Sequence, residues 1–204
     1  MELHCARSGN RSAARHLNDI DFVVRGFDSI PKTLARDFLF RHVHPFDPPG
    51  KTVLQLVDPD TSLRVDVFRA YGAILSRTLR MDFPSGSIRV ISAEDVLART
   101  ARILLDLGEG VPVPAKHAGD YVRLAQWVPA CRMETAWQDH RKQGHPLTFH
   151  ETHSLVSGLL AARRDLLITP EYSKDVRQIC PRCVPATAFP LADPKVVLAL
   201  LGYC

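Results

Sequence analysis

Apolar positions in the first ninety residues come in short runs with a period of two, and later in the chain they recur at the spacing of one helical face. Ile20–Arg25 is β-branched and apolar, which predicts a strand. Pro31–Arg41 predicts a helix with Pro at its start. Thr52–Val57 predicts a second strand, closed by the turn Asp58-Pro59-Asp60. In Leu63–Phe68 the alternation is strict: Leu63, Val65 and Val67 share one face, Arg64, Asp66 and Phe68 the other. Arg77–Asp82 and Ser87–Ile91 are further strand segments.

The period then changes. Ser92-Ala93-Glu94-Asp95 reads as a capped helix start, with an acidic residue three positions after the Ser. Val96, Leu97, Thr100, Ile103, Leu104 and Leu107 follow at helical spacing, up to a stop expected at Gly108. Val111-Pro112-Val113-Pro114 reads as a short rigid linker. Lys116–Trp127, Cys131–Gln143 and Thr148–Leu166 predict helices, and the irregular tail from Tyr172 contains one short helix at Pro194–Leu201. Two regions follow: an α/β domain over residues 1–110 and a helical C-terminal region over 111–204.

Composition adds limits. The 204 residues are 46% apolar and 24% charged, as in a globular protein, so disorder of the bulk of the chain is not expected. A net charge of +4 is no basic stripe and does not by itself argue for nucleic acid. No apolar run reaches the roughly 20 residues of a membrane span, and the N-terminus lacks the apolar core of a signal peptide; the expected compartment is cytoplasmic. Five Cys are too few and odd in number for a disulfide scaffold.

The candidate chemistry lies in Asn18-Asp19-Ile20-Asp21-Phe22. Asp19 and Asp21, two apart on a strand, project from one face and repel unless a cation stands between them. Mg²⁺ is bound through one or two carboxylates plus substrate phosphates. Asp66, a charge inside an apolar strand, becomes a third ligand if a neighbouring strand brings it beside the pair; the plain alternative is an ion pair with a nearby Arg. Three such carboxylates would form a two-metal cradle for phosphoryl or nucleotidyl transfer.

The runs Arg15-His16-Leu17-Asn18-Asp19-Ile20-Asp21-Phe22-Val23-Val24, Arg64-Val65-Asp66-Val67-Phe68 and Ser92-Ala93-Glu94-Asp95-Val96-Leu97-Ala98-Arg99 resemble the nucleotidyltransferase superfamily, of DNA polymerase β-like fold, and within it the AbiEii-type branch. The resemblance covers about residues 1–127. It implies an α+β fold, a mixed sheet flanked by helices with a helical C-terminal extension. It implies Asp19, Asp21 and Asp66 as catalytic Mg²⁺ ligands, with Arg15 shortly before the first pair. Lys116-His117-Ala118-Gly119-Asp120 matches a later Lys-x-x-x-Asp pattern, which implies that Lys116 faces the nucleotide phosphates and Asp120 assists. The implied activity is transfer of a nucleoside monophosphate from an NTP to an RNA end, a protein side chain or a small molecule. An antitoxin-like partner is implied for a toxin of this branch. The family opens with a Gly-Gly or Gly-Ser turn that holds the triphosphate. Here Gly9, in Ser8-Gly9-Asn10, is the sole Gly ahead of Asp19, so that segment is expected to be lost or to lie upstream of Met1. A chain without the turn could instead be a catalytically inactive binding module that keeps the fold.

The other features are weaker. Cys180-Pro181-Arg182-Cys183 would supply two of the four ligands of a zinc site, leaving Cys204, Cys131, Cys5 or a His to complete it. His140, His145, His150 and His153 read as a solvated face, His42 and His44 as flanking a cleft, and Trp127 and Trp137 as core anchors.

Overall fold

A computed structural model of the chain describes residues 3–4, 19–26, 29–31, 33–34, 38–43, 53–58 and 63–169. The period-two runs become strands β1 (Asp19–Val24), β3 (Val53–Val57) and β4 (Arg64–Arg69), and with β2 (Leu39–Val43), which was not expected as a strand, they form one mixed sheet in the order β1-β4-β3-β2. β2, β3 and β4 are successive antiparallel neighbours, whereas β1 lies parallel to β4. A parallel pair needs a long connection, and here the intervening β2 and β3 supply it. Alternation places Ile20, Phe22 and Val24 on one face with Val65 and Val67, and Asp21 on the other with Arg64 and Asp66. Val67 on the apolar face is buried, as are Leu56 and Ile30.

Of the helix expected over Pro31–Arg41, residues 39–41 are instead strand. A helical turn at Leu34 is held by Leu34 N–H donating to Pro31 O (3.1 Å) and Phe38 N–H to Leu34 O (2.9 Å), and the chain then extends into β2. Pairing of Leu39–Val43 with β3 takes the end of that segment into the sheet, a tertiary effect that local pattern does not carry.

The strands over Arg77–Asp82 and Ser87–Ile91 appear as an antiparallel hairpin, β5 (Leu79–Phe83) and β6 (Gly86–Val90), preceded by a 3-10 turn at Ile74–Arg77. Ser92 then caps α1 (Ala93–Leu104), its hydroxyl accepting from the N–H of Asp95 at 3.0 Å. α1 buries Leu97, Ala98, Ala101 and Leu104 against α2 (Ala115–Ala125), α3 (Glu134–His140) and α4 (Phe149–Ala162). The two alanines, both fully buried, let neighbouring side chains come close to the α1 backbone, and Trp137 of α3 fills the core beside Phe149. The stop falls two residues after Gly108. A 3-10 turn over Leu105–Glu109 prolongs the helix, and Gly110 ends it at φ 77°, a conformation that favours glycine. Val113–Pro114 is no free linker, since it pairs in parallel with Leu167–Ile168 as the short strands β7 and β8. The helix expected over Cys131–Gln143 shortens to a 3-10 turn at Ala130–Arg132 followed by α3, and Arg141 turns extended. Trp127 is 38% exposed beside His4, not a core anchor.

The fold is thus α+β. It divides into two compact units, one containing His16–Tyr71 with the mixed sheet, the other Gly72–Glu171 with the helices and Leu3 and His4. The boundary expected at residues 110/111 falls inside the second, between α1 and the helices it packs on. Among the described residues no helix is long and apolar enough to cross a membrane.

Candidate functional site

The polar face of the mixed sheet is built by register. In the parallel β1–β4 pair Asp21 stands opposite Asp66 and Asp19 opposite Arg64. Adjacent strands lie about 4.8 Å apart, so the Asp21 and Asp66 side chains rise from neighbouring positions of one face. The row continues across the sheet, since Gln55 is the register partner of Asp66 and His42 that of Gln55. Asp21 is exposed, whereas Asp66 keeps only 8% of its surface in contact with solvent.

Two carboxylates about 5 Å apart repel by about 3 kcal/mol at an effective dielectric constant of 20. Positive charge on the same face offsets this. Arg64, two positions before Asp66 on β4, places its Nε 3.4 Å from Oδ1 of Asp66. The ion pair considered as the alternative for Asp66 is therefore present, and its partner sits on Asp66's own strand. The strict alternation of Arg64 and Asp66 was the sequence signal for it.

Asp21 and Asp66 are carboxylates on neighbouring strands, the donor type that hard divalent cations take, and Asp19 heads the same strand as Asp21. Among the described residues no three His, Cys, Asp or Glu side chains converge as a metal-binding group. Lys116 and Asp120 belong to the other compact unit, on α2, one helical turn apart. Lys116 is exposed, and Asp120 is buried in an ion pair with Arg123 at 3.1 Å. Arg15, His44, Cys5, Cys180, Cys183 and Cys204 lie outside the described residues, as do the tail and the helix expected at Pro194–Leu201. Cys131 is an exposed free thiol.

A second polar cluster was not read from the sequence. Asp95, fully buried at the start of α1, accepts from Arg77 Nε (3.0 Å) and Nη2 (2.6 Å), from Ser92 Oγ (2.5 Å), and lies 3.1 Å from His140 Nε2. Arg77 also donates to Asp139 (2.7 Å), whose carboxylate in turn accepts from Ala73 N–H at 2.8 Å. Burial alone would raise the Asp95 pKa, but the hydrogen bonds from His140, Arg77 and Ser92 outweigh it and hold the carboxyl at about 2. Hydrogen bonding to Asp95 keeps the Arg77 guanidinium firmly charged. This cluster ties the turn before β5 to α1 and α3, with every carboxylate oxygen of Asp95 engaged, and serves the fold.

His140 is thus a buried structural group, not part of a solvated face. His145 stacks on Trp137 at 6.1 Å between ring centroids, and burial lowers its pKa. His153 Nδ1 lies 2.7 Å from the Tyr121 hydroxyl, in an open groove between α2 and α4 that Val122, Ala125, Leu160 and Arg164 also line. Only His150 of the four is fully on the surface without such a contact among the described residues.

A scan of protein-family models finds no match to the chain, and a search of the curated proteins finds none either.

Proposed function

We propose that the chain is a nucleotidyltransferase-like protein, with a mixed sheet of that kind, which transfers a nucleoside monophosphate from an NTP to an acceptor hydroxyl in a Mg²⁺-dependent reaction. One observation carries the reading: the parallel register that sets Asp21 opposite Asp66, so that carboxylates far apart in sequence share one face. Asp21 and Asp66, together with Asp19, would hold the ions. Bound there, Mg²⁺ would supply charge neutralisation for the triphosphate and its pyrophosphate leaving group. Asp66 can also accept the proton of the acceptor hydroxyl as the attacking oxygen forms its bond to phosphorus. Lys116, exposed in the first turn of α2, offers a cation suited to phosphate oxygens, and Asp120, held by Arg123, fixes the polar side of that helix. The acceptor class is an RNA end, a protein side chain or a small molecule, and an antitoxin-like partner belongs to the same proposal.

The test is label transfer. Protein incubated with each α-labelled NTP, Mg²⁺ and total RNA or cell lysate should acquire or transfer label, and Asp19→Ala/Asp21→Ala should not. Absence of transfer with every NTP would overturn the activity. The Arg64–Asp66 contact favours one second reading, a catalytically inactive binding module in which a guanidinium compensates the carboxylates permanently. That reading predicts no Mg²⁺-dependent nucleotide binding by calorimetry and unchanged stability after the Asp substitutions.

A further inference from the structure

Three features on the polar face of the mixed sheet belong together. Arg64 and Asp66 are two apart on β4, so they rise from the same face. Arg64 is also the register partner of Asp19, the first residue of the Asp19-Ile20-Asp21 run. Its Nε approaches Oδ1 of Asp66 to 3.4 Å, with that nitrogen buried while the side chain as a whole keeps 29% of its exposure, so the guanidinium is set against the Asp66 carboxylate on a side chain still partly in water.

Carboxylates that attract a divalent cation attract a guanidinium for the same reason, and one Asp66 oxygen cannot serve both at full strength. We propose that Arg64 is a built-in competitor for the metal, a side chain that holds the carboxylate face charge-compensated until a polyphosphate draws it away. The inference rests on the nucleotidyltransferase reading and names the regulation of that site. A guanidinium binds phosphate oxygens through paired N–H donors at least as well as it binds a carboxylate. An NTP arriving at the face therefore offers Arg64 a second partner. Each phosphate contact that Arg64 gains loosens its hold on Oδ1 of Asp66 in favour of the divalent ion, and the ion in turn favours the phosphates. Binding of nucleotide and metal is then coupled through one side chain, and by linkage each raises the affinity of the other by the same factor. The metal-free, nucleotide-free chain avoids leaving a like-charge pair uncompensated on its sheet.

The test uses Mn²⁺ as the probe, with the free aquo ion counted by electron paramagnetic resonance during titration of the full chain. Arg64→Met should bind Mn²⁺ about tenfold or more tightly than the parent chain, the scale of one partly buried like-charged competitor removed from the site. Arg64→Lys should fall between the two. Asp66→Asn in the Arg64→Met background should remove the gain, which separates this face from other Mn²⁺ sites. A non-hydrolysable ATP analogue should tighten Mn²⁺ binding to the parent chain beyond what it does for Arg64→Met. Circular dichroism and the melting temperature check folding, and Arg64→Gln replaces Arg64→Met if the latter does not fold. Equal Mn²⁺ affinity of the parent and the Arg64 variants would overturn the competition while leaving the carboxylate site standing. Absence of Asp66-dependent Mn²⁺ binding in every variant would overturn both.

Discussion

Asp66 and Asp95 are both carboxylates taken largely out of water, but their surroundings assign them different work. Asp95 is ringed by Arg77, His140 and Ser92, which leave its oxygens no further role. Removing it strands the buried side of Arg77, so Asp95→Ala should cost about 3 kcal/mol in urea unfolding, with an unchanged m value. A loss within a few tenths of a kcal/mol would mean that Asp139 alone satisfies the guanidinium. The pH dependence has a definite sign. The folded carboxyl titrates near 2, below its unfolded range of about 4. Its stabilisation, roughly 2 kcal/mol, is therefore complete above about pH 4 and disappears as pH falls toward 2. Acid unfolding of the parent chain should show this loss, and Asp95→Asn should flatten it. Asp66, by contrast, meets the Arg64 guanidinium of its own strand and stands in register with Asp21.

At the scale of elements, the helix starts illustrate how local chemistry sets boundaries. Thr148 accepts from Glu151 N–H (3.2 Å) while Glu151 accepts from Thr148 N–H (3.1 Å), a reciprocal cap that begins α4. Thr148→Ala should cost about 1 kcal/mol, read as a lower melting temperature. Caps of this kind, and the alternation of β1 and β4, are legible in sequence because each depends on neighbours a few positions away. Ser92, Thr148 and the face shared by Arg64 and Asp66 all follow from spacing alone. The end of the segment 31–41 does not, because residues 39–41 become strand only through pairing with β3. Trp127 was misplaced for a similar reason: its helix ends at Ala125, so the ring falls beyond the amphipathic stripe. His140 looked like one of several surface histidines, and only packing of α3 on α1 brings it to Asp95.

At the scale of the molecule, the passage from one compact unit to the other runs through Tyr71 and Gly72. Gly72 has φ 51°, and a Cβ built there would strike the Asp139 carboxylate that receives Ala73 N–H. Gly72→Ala should therefore cost about 1–3 kcal/mol, since both the backbone and the carboxylate must shift. Gly158→Ala on α4, where nothing lies within 4 Å, should be neutral or stabilising and is the control in a thermal melt. The candidate residues of the resemblance are divided between the units, Asp21 and Asp66 in one, Lys116 and Asp120 in the other. Sequence shows that these residues exist. The pairing of Asp21 with Asp66 is a property of strand order, which alternation alone does not supply.

That strand order also has a kinetic side. β2 pairs with β3 and β3 with β4, each with its immediate successor, so short connections can close this part of the sheet early. β1 skips both intervening strands to reach β4, and its pairing closes the longest loop in the sheet. The carboxylate face is therefore assembled by the contact with the largest entropic barrier. A chain halted before that step would already hold Arg64 beside Asp66, with the attraction in place before the repulsion from Asp21 arrives.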